Sequence, residues 1–324
     1  MNPALPPRLK AAADALLEGV SRKALAPKAE AISAHYRNGQ GSSVAVTRSD
    51  DALAYLVARL PATYAVAAAC LAQLRDAAPD FQPCSLIDVG AGPGTASWAA
   101  LEAFPDLQAL TLTDSNPRFL ALAQTLAADH GALSGAHFRA GDLGHAEALP
   151  RADLAIASFV LAEIAPAAQQ ATVEKLFAAA ADTLLLIEPG TPAGFARIRA
   201  ARAHLIGQGA HVLAPCTHAK ACPVTAPDWC HFSQRLPRRR DHMQAKNASV
   251  PYEDERYSWI AVSRVRRSTF EGAARVLAPP KEAKPGIELK LCTPDGIENR
   301  CVARRDKPAF AALRRAGWGD IVVL

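Results

Sequence analysis

The chain has 324 residues, of which 50% are hydrophobic, 21% charged and 6% aromatic, a globular composition that excludes a disordered or low-complexity chain. No stretch approaches the roughly 18 uninterrupted apolar residues of a membrane span, and seven cysteines in so long a chain exclude a disulfide-stapled mini-domain. The net charge of +5 is uneven: residues 1–190 hold 13 Lys and Arg against 19 Asp and Glu, and residues 191–324 hold 23 against 12.

Residues 1–80 read as helical. Ala, Leu and charged residues dominate 8–17 and 50–60; Pro61 interrupts the pattern, and 63–74 resumes it. Residues 37–43 form a loop on their Gly, Asn and Ser content. From Ser85 the pattern becomes short apolar runs between helical stretches. Residues 86–89 predict a buried strand ending in a glycine turn, and 110–113 a second strand ending at Asp114. Residues 137–139 lead into Gly141 and Asp142, 154–160 make a fourth strand, and 183–187 a fifth that ends at Glu188-Pro189-Gly190. Helical stretches such as 117–128 and 166–180 lie between them. The alternation predicts an α/β fold with a doubly wound parallel sheet.

After Pro189 the character shifts. Residues 194–205 read as a helix with Arg197, Arg199 and Arg202 at its surface, and a cysteine-bearing segment with little periodicity follows. Residues 257–264, 272–277, 287–292 and 299–303 alternate like strands, with 279–285 as a loop. These strands form either a small β-module or an antiparallel extension of the main sheet. The chain therefore divides into a helical region (1–80), a nucleotide-type domain (81–205) and a cysteine segment with a β-module (206–324).

The strongest binding signal is Asp88-Val89-Gly90-Ala91-Gly92-Pro93-Gly94-Thr95, which follows an apolar strand and opens a helix. Glycines there let the backbone turn tightly and approach a ligand closely. The G-x-G-x-G spacing with a leading Asp88 differs from the dinucleotide G-x-G-x-x-G. It resembles the first motif of class I S-adenosylmethionine-dependent methyltransferases. Asp114, at the end of the second strand, stands where a carboxylate accepts from ribose hydroxyls. Asp142 resembles the residue that meets the adenine amino group, and Ser158 and Phe159 would lie over the methionine end. No catalytic residue is assigned. The amino-methylating Asn/Asp-Pro-Pro-Tyr/Phe motif is missing at residues 157–163, and Glu163 reads as a helix-start carboxylate rather than a base.

Cys216, Cys222 and Cys230 follow a C-x5-C-x7-C pattern. Thiolates suit zinc and iron–sulfur clusters. Zinc modules favour tight C-x2-C knuckles, so the wider spacing fits a cluster better. A fourth ligand is needed, and Cys292, ending a strand at a turn, leads over Cys301, His218 and His231. Cys70 and Cys84 read as core or boundary thiols. Arg235, Arg238, Arg239, Arg240, Lys246, Arg264, Arg266 and Arg267 surround the segment, with Trp229, Phe232 and Trp259 as stacking surfaces or, equally, as ordinary core residues. Arginine beside aromatic groups suits RNA phosphates and unstacked bases.

Together these motifs resemble the mitochondrial small-ribosomal-subunit assembly proteins of the methyltransferase-like class and their bacterial homologues. The stretches that carry the resemblance are residues 51–65, the glycine motif, Glu188-Pro189-Gly190-Thr191-Pro192, the run ending Cys230-His231-Phe232-Ser233-Gln234-Arg235, residues 291–296 and Trp318-Gly319-Asp320. The resemblance implies a class I methyltransferase (Rossmann-like) fold with an N-terminal helical region and a C-terminal extension. It implies a 4Fe–4S cluster on Cys216, Cys222, Cys230 and Cys292, and S-adenosyl-L-methionine at Gly90, Gly92, Gly94 and Asp114. It also implies association with small-subunit ribosomal RNA and the pre-ribosomal particle. One departure is Thr217, where the family has proline in a Cys-Pro-His run. Two alternatives stay open: an active methyltransferase of ribosomal RNA or protein, and a zinc-stabilised RNA-binding module with a vestigial cofactor pocket. The odd cysteine count and the absence of a secretory layout at Met1-Asn2-Pro3 predict a reducing, bacterial-type cytoplasmic setting, with no membrane and a monomeric free state.

Overall fold

The computed structural model describes residues 4–37, 45–143, 148–246, 248–267 and 272–323. The loop expected at 37–43 falls, from residue 38 on, outside them.

The central sheet runs in the order β3-β2-β1-β4-β5-β8-β6, with β7 pairing β8. Its strands are β1 (Ser85–Val89), β2 (Ala109–Asp114), β3 (His137–Ala140), β4 (Ala152–Ser158), β5 (Ala180–Pro189), β6 (His211–Ala214), β7 (Phe232–Pro237) and β8 (Tyr252–Ser263). Strands β1 to β5 are mutually parallel. Strand β8 runs antiparallel to β5, from Thr183 opposite Ser263 to Pro189 opposite Tyr257. The core strands are buried on both faces, which is why Leu-Ile-Asp-Val and Leu-Leu-Leu-Ile read as continuous apolar runs rather than alternating ones. Six parallel strands, β1 to β6, with the reversed β8 inserted before the last, make the class I S-adenosylmethionine-dependent methyltransferase fold. Strand order reverses at β1, so the crevice for a ligand opens at the carboxyl ends of β1 and its neighbours.

The N-terminal region is helical, as expected: α1 (Pro7–Leu16), α2 (Arg22–Arg37), α3 (Ser49–Ala58) and α4 (Leu60–Ala77). Helices α3 and α4 meet at Arg59 with a bend of 52°. Pro61 sits in the first turn of α4, where its missing N–H costs nothing. Helix α4 buries Leu60, Tyr64, Val66, Leu71 and Leu74 and packs on α5 (Thr95–Ala103). Helices α6 (Pro117–Ala127), α7 (Gln169–Ala179) and α8 (Pro192–Gly207) complete the layers around the sheet. Among the described residues no single helix is long and apolar enough to cross a membrane.

A second sheet, β10-β11-β9-β13 with β12 on β11, is built from β9 (Ala273–Val276), β10 (Lys281–Ala283), β11 (Gly286–Thr293), β12 (Gly296–Ala303) and β13 (Ile321–Val323). It has its own core of Val276, Ile287, Leu289, Leu291, Val302 and Leu313. The two readings of the late strands are thus both realised on different strands: β8 extends the main sheet, and β9 to β13 form a module. The sheet crosses the division expected at residue 205, because β6, β7 and β8 lie beyond it. The loop expected at 279–285 contains β10, which pairs antiparallel with β11. All three of its residues are exposed, so no apolar alternation marks it.

Candidate cofactor pocket and cysteine site

The glycine turn leaves β1 and enters α5. Gly90, Gly92 and Gly94 have φ of 67°, 55° and 80°, the left-handed region that glycine enters at little cost. Gly90 N and Ala91 N donate to Thr113 O at 2.8 and 3.0 Å. Gly92 N donates to Asp114 Oδ2 at 2.7 Å, and Asn116 N donates to Asp114 Oδ1 at 2.7 Å. Asp88 lies below the turn, fully buried. Its Oδ2 accepts from Ser97 N at 3.1 Å and Ser97 Oγ at 2.7 Å, which ties the first turn of α5 to β1. Burial pushes the Asp88 carboxyl up to about 7, and burial also raises Asp114.

A cavity of about 430 Å³ opens over this turn. Of the expected residues, Gly90, Gly92, Asp114, Asp142 and Ser158 line it. Asp88 and Gly94 support it from behind: a Cβ on Gly94 would stand 3.0 Å from Leu112 Cδ2. Thr95 also lines the cavity, and its buried Oγ1 has no partner. Phe159 takes φ of 62°, unusual for a non-glycine residue, and its N–H donates to Ile187 O at 2.7 Å. That strained position follows β4, where nucleic-acid amino-methylases carry their motif. Glu163 lines the same cavity from a short 3-10 turn.

The pocket's other wall comes from the N-terminal helices and carries no cofactor motif in the sequence. Tyr55, Arg59 and Thr63, from the α3–α4 bend, line the cavity. Arg59 reaches Glu255 of β8 through two hydrogen bonds of 2.9 and 3.3 Å. Tyr55 packs edge-on against Phe119 with ring centroids 4.8 Å apart, and burial pushes its phenol up to about 12. A lone arginine inside the apolar run Leu-Val-Ala-Arg-Leu was the available signal.

The cysteine segment lies between β6 and β7. Phe195, Val224, Leu277, Cys222, Trp229, Cys230 and Cys292 pack into one cluster. Cys222, Cys230 and Cys292 pack together although Cys292 comes from β11, and Cys216 is near enough to act electrostatically on both Cys230 and Cys292. Burial first, and the neighbouring thiols second, raise Cys230 well up and push Cys292 up to about 12. Such thiols ionise only beside a compensating cation. His218 Nε2 is 3.6 Å from Cys292 Sγ, whereas Cys301 is exposed on β12 opposite Glu288. Among the described residues no group of three or more His, Cys, Asp or Glu side chains is placed to hold a metal ion. The segment is anchored by side-chain and backbone contacts. Trp229 Nε1 donates to Gly190 O at 3.0 Å, Ser258 Oγ donates to Cys230 O at 2.7 Å, and Trp229 stacks on His231.

Several expectations about the surroundings are corrected. Of the two readings of the aromatics, Phe232 and Trp259 take the core one, each 2% exposed, because β7 and β8 are built into the main sheet. Arg202 is buried, not at the surface of α8. Most of the basic residues thought free to meet phosphate are engaged: Arg235 with Asp254, Arg238 and Lys246 with Glu253, Arg239 with Asp14, and Arg267 with Asp182. Arg264 donates to Ala180 O and Phe177 O. Arg240 and Arg266 are exposed.

The family model described as mitochondrial small ribosomal subunit Rsm22 matches residues 49–323. The chain belongs to the Rsm22 family. The human ribosome assembly protein METTL17, mitochondrial, is 27% identical over 290 residues, which is 83% of this chain and 62% of that one. The Rsm22-cox11 tandem protein 2, mitochondrial, of Schizosaccharomyces pombe is 22% identical over 84% of this chain and 43% of its own length. This Rsm22-family chain thus spans less than two thirds of these relatives. Among solved structures, a Synechocystis magnesium protoporphyrin IX methyltransferase has 16% identity and a TM-score of 0.41 over 71% of this chain and 89% of that one. The family and its relatives are mitochondrial by name, which overturns the cytoplasmic, bacterial-type setting expected from the sequence.

Proposed function

We propose that this Rsm22-family protein is a small-ribosomal-subunit assembly factor that binds S-adenosylmethionine in the β1–β4 crevice and a 4Fe–4S cluster on Cys216, Cys222, Cys230 and Cys292. The observation that carries this reading is the convergence of three loop thiols with a fourth from β11, inside a chain whose family is named for the small subunit.

The donor set fits a cluster. Four cysteines with no carboxylate among them are a soft-ligand site. The C-x5-C-x7-C spacing is wider than the tight knuckles that zinc modules favour, which supports a cluster over a single ion. When bound, the cluster supplies a rigid cross-link between the loop and the β-module. The chain's own part is to present the thiols: the hydrogen bonds to Gly190 O and Cys230 O hold the loop against β5 and β8.

The pocket fits a nucleoside with a charged tail. Asp114 is fixed by two backbone N–H groups at the crevice, and Thr95 Oγ1 is buried without a partner. Asp142 and Ser158 extend the lining toward the two ends of such a ligand. Binding and orientation are what these residues do, and no acceptor-activating base is assigned.

For RNA, the exposed cations of the β-module, Arg305, Lys307, Arg314 and Arg315, at the two ends of helix α9 (Lys307–Leu313), support a phosphate-contacting edge. The test is anaerobic purification with iron and sulfide analysis, calorimetry with S-adenosylmethionine, and cross-linking to ribosomal RNA. Folded protein without iron or sulfide overturns the cluster. Absence of small-subunit RNA among the cross-links overturns the assembly role.

A further inference from the structure

Two arginines are buried against the cysteine site, and among the described residues neither belongs to a salt bridge. Arg202, on α8, is 4% exposed, and its Nη2 donates to His218 O at 2.7 Å while its Nε is buried without a partner. Arg275, on β9, is also 4% exposed, and its Nε donates to Pro215 O at 2.6 Å, with Nη1 donating to Gln73 Oε1 at 2.8 Å and to Gly319 O at 2.5 Å. Every acceptor is neutral. Among the described residues neither arginine pairs with a carboxylate. Asp320 Oδ2 accepts instead from Gly317 N.

Both are placed by the fold to face the thiols. Arg275 stands directly opposite Cys292 in the antiparallel β9–β11 pair, so the two side chains share one face of the sheet. Arg202 and Cys222 line one surface cavity of about 500 Å³. Each arginine holds one carbonyl of the cysteine segment itself, Pro215 just before Cys216 and His218 two residues after it. A buried guanidinium without a counter-anion is among the costliest arrangements in a protein interior. Neutral thiols do not relieve that cost, but thiolates do. Four thiolates on a doubly positive core leave two negative charges, and two guanidiniums cancel them.

We propose that Arg202 and Arg275 are the fixed counter-charges of the four-cysteine site, stabilising its metal-bound anionic state and biasing it toward reduction. They are positioning residues rather than ligands. The inference rests on the four-thiolate reading above, but not on the identity of the metal, since zinc on four thiolates carries the same net charge.

The experiment compares anaerobically prepared wild type with Arg202→Gln, Arg275→Gln and the two Lys variants. It measures metal loss to a chelator and, for iron, the midpoint of a dithionite titration followed by electron paramagnetic resonance. The Gln variants are expected to lose metal about tenfold faster and to show a midpoint lower by about 59 mV, a tenfold change for a one-electron couple. Lysine, which keeps the charge but not the fork of hydrogen bonds, is expected to restore most of both. If Gln leaves both readouts unchanged, or if Lys behaves like Gln, the arginines only brace the loop and the proposal is overturned. Should Arg275→Gln fail to fold, the Arg202 pair decides alone. Zinc in place of iron removes the cluster reading yet leaves this one standing or falling on the chelator rates. No metal in folded wild type removes both.

Discussion

Asp114 holds the glycine turn from the neighbouring strand: its Oδ2 accepts from Gly92 N and its Oδ1 from Asn116 N, each at 2.7 Å. Replacing it with Asn turns one acceptor into a donor that faces a backbone N–H. We expect Asp114→Asn to weaken S-adenosylmethionine binding by about tenfold or more, since loss of one charge-assisted bond is worth about 1.5–3 kcal/mol. Calorimetric titration checks this, and unchanged affinity would show that the ligand does not use this carboxylate.

Gly90 combines φ of 67° with a close neighbour, since a Cβ there would stand 2.3 Å from Val160 Cγ2. Gly90→Ala should lower stability by about 1–3 kcal/mol and narrow the pocket mouth. Adding Val160→Ala relieves the clash but not the backbone strain, so the double variant should recover only part of the loss. Denaturant melts of the single and double variants decide it.

Cys292 and Cys301 differ in placement rather than chemistry. Cys292→Ser is expected to lose iron, sulfide and thermal stability together, because ligation and folding are linked. Cys301→Ser, at an exposed position, should leave all three at wild-type values. Equal loss in both would move the fourth ligand away from Cys292.

The Asp88 carboxyl is pushed from 3.8 up to about 7 by burial. The native state then keeps a proton that the unfolded chain has released. Stability therefore falls as pH rises from about 3.8 to about 7 and is level above that window. Asp88→Asn keeps an acceptor for Ser97 and removes the titration. In cofactor-free protein its unfolding midpoint should decline less steeply across this window, and a slope equal to wild type would refute the assignment.

The Arg59–Glu255 contact joins the pocket wall to β8. With side chains 20% and 15% exposed, it is shielded from solvent, and removing one partner leaves a half-buried charge. Arg59→Met is expected to lower the melting temperature and to speed release of S-adenosylmethionine in stopped-flow experiments, whereas Glu255→Gln should do so more mildly. No change in release rate would confine Arg59 to a structural role.

The sequence by itself determined the doubly wound sheet and the glycine turn. Continuous apolar runs, a leading Asp88 and left-handed glycines are local signals, written within a few residues of where they act. It also determined which cysteines were candidates, because thiol chemistry and spacing are visible in one dimension. The tertiary structure decided everything that depends on distant segments meeting. It placed Cys292 beside Cys222 and Cys230, closed the pocket with Tyr55 and Arg59, and buried Trp259 and Phe232 by adding β7 and β8 to the main sheet. It paired most of the basic residues of the cysteine region with carboxylates up to 225 residues away, as Arg239 with Asp14. The same folding left Arg202 and Arg275 buried against thiols instead of carboxylates. A residue's charge is written in the sequence, but what neutralises it is settled only by packing.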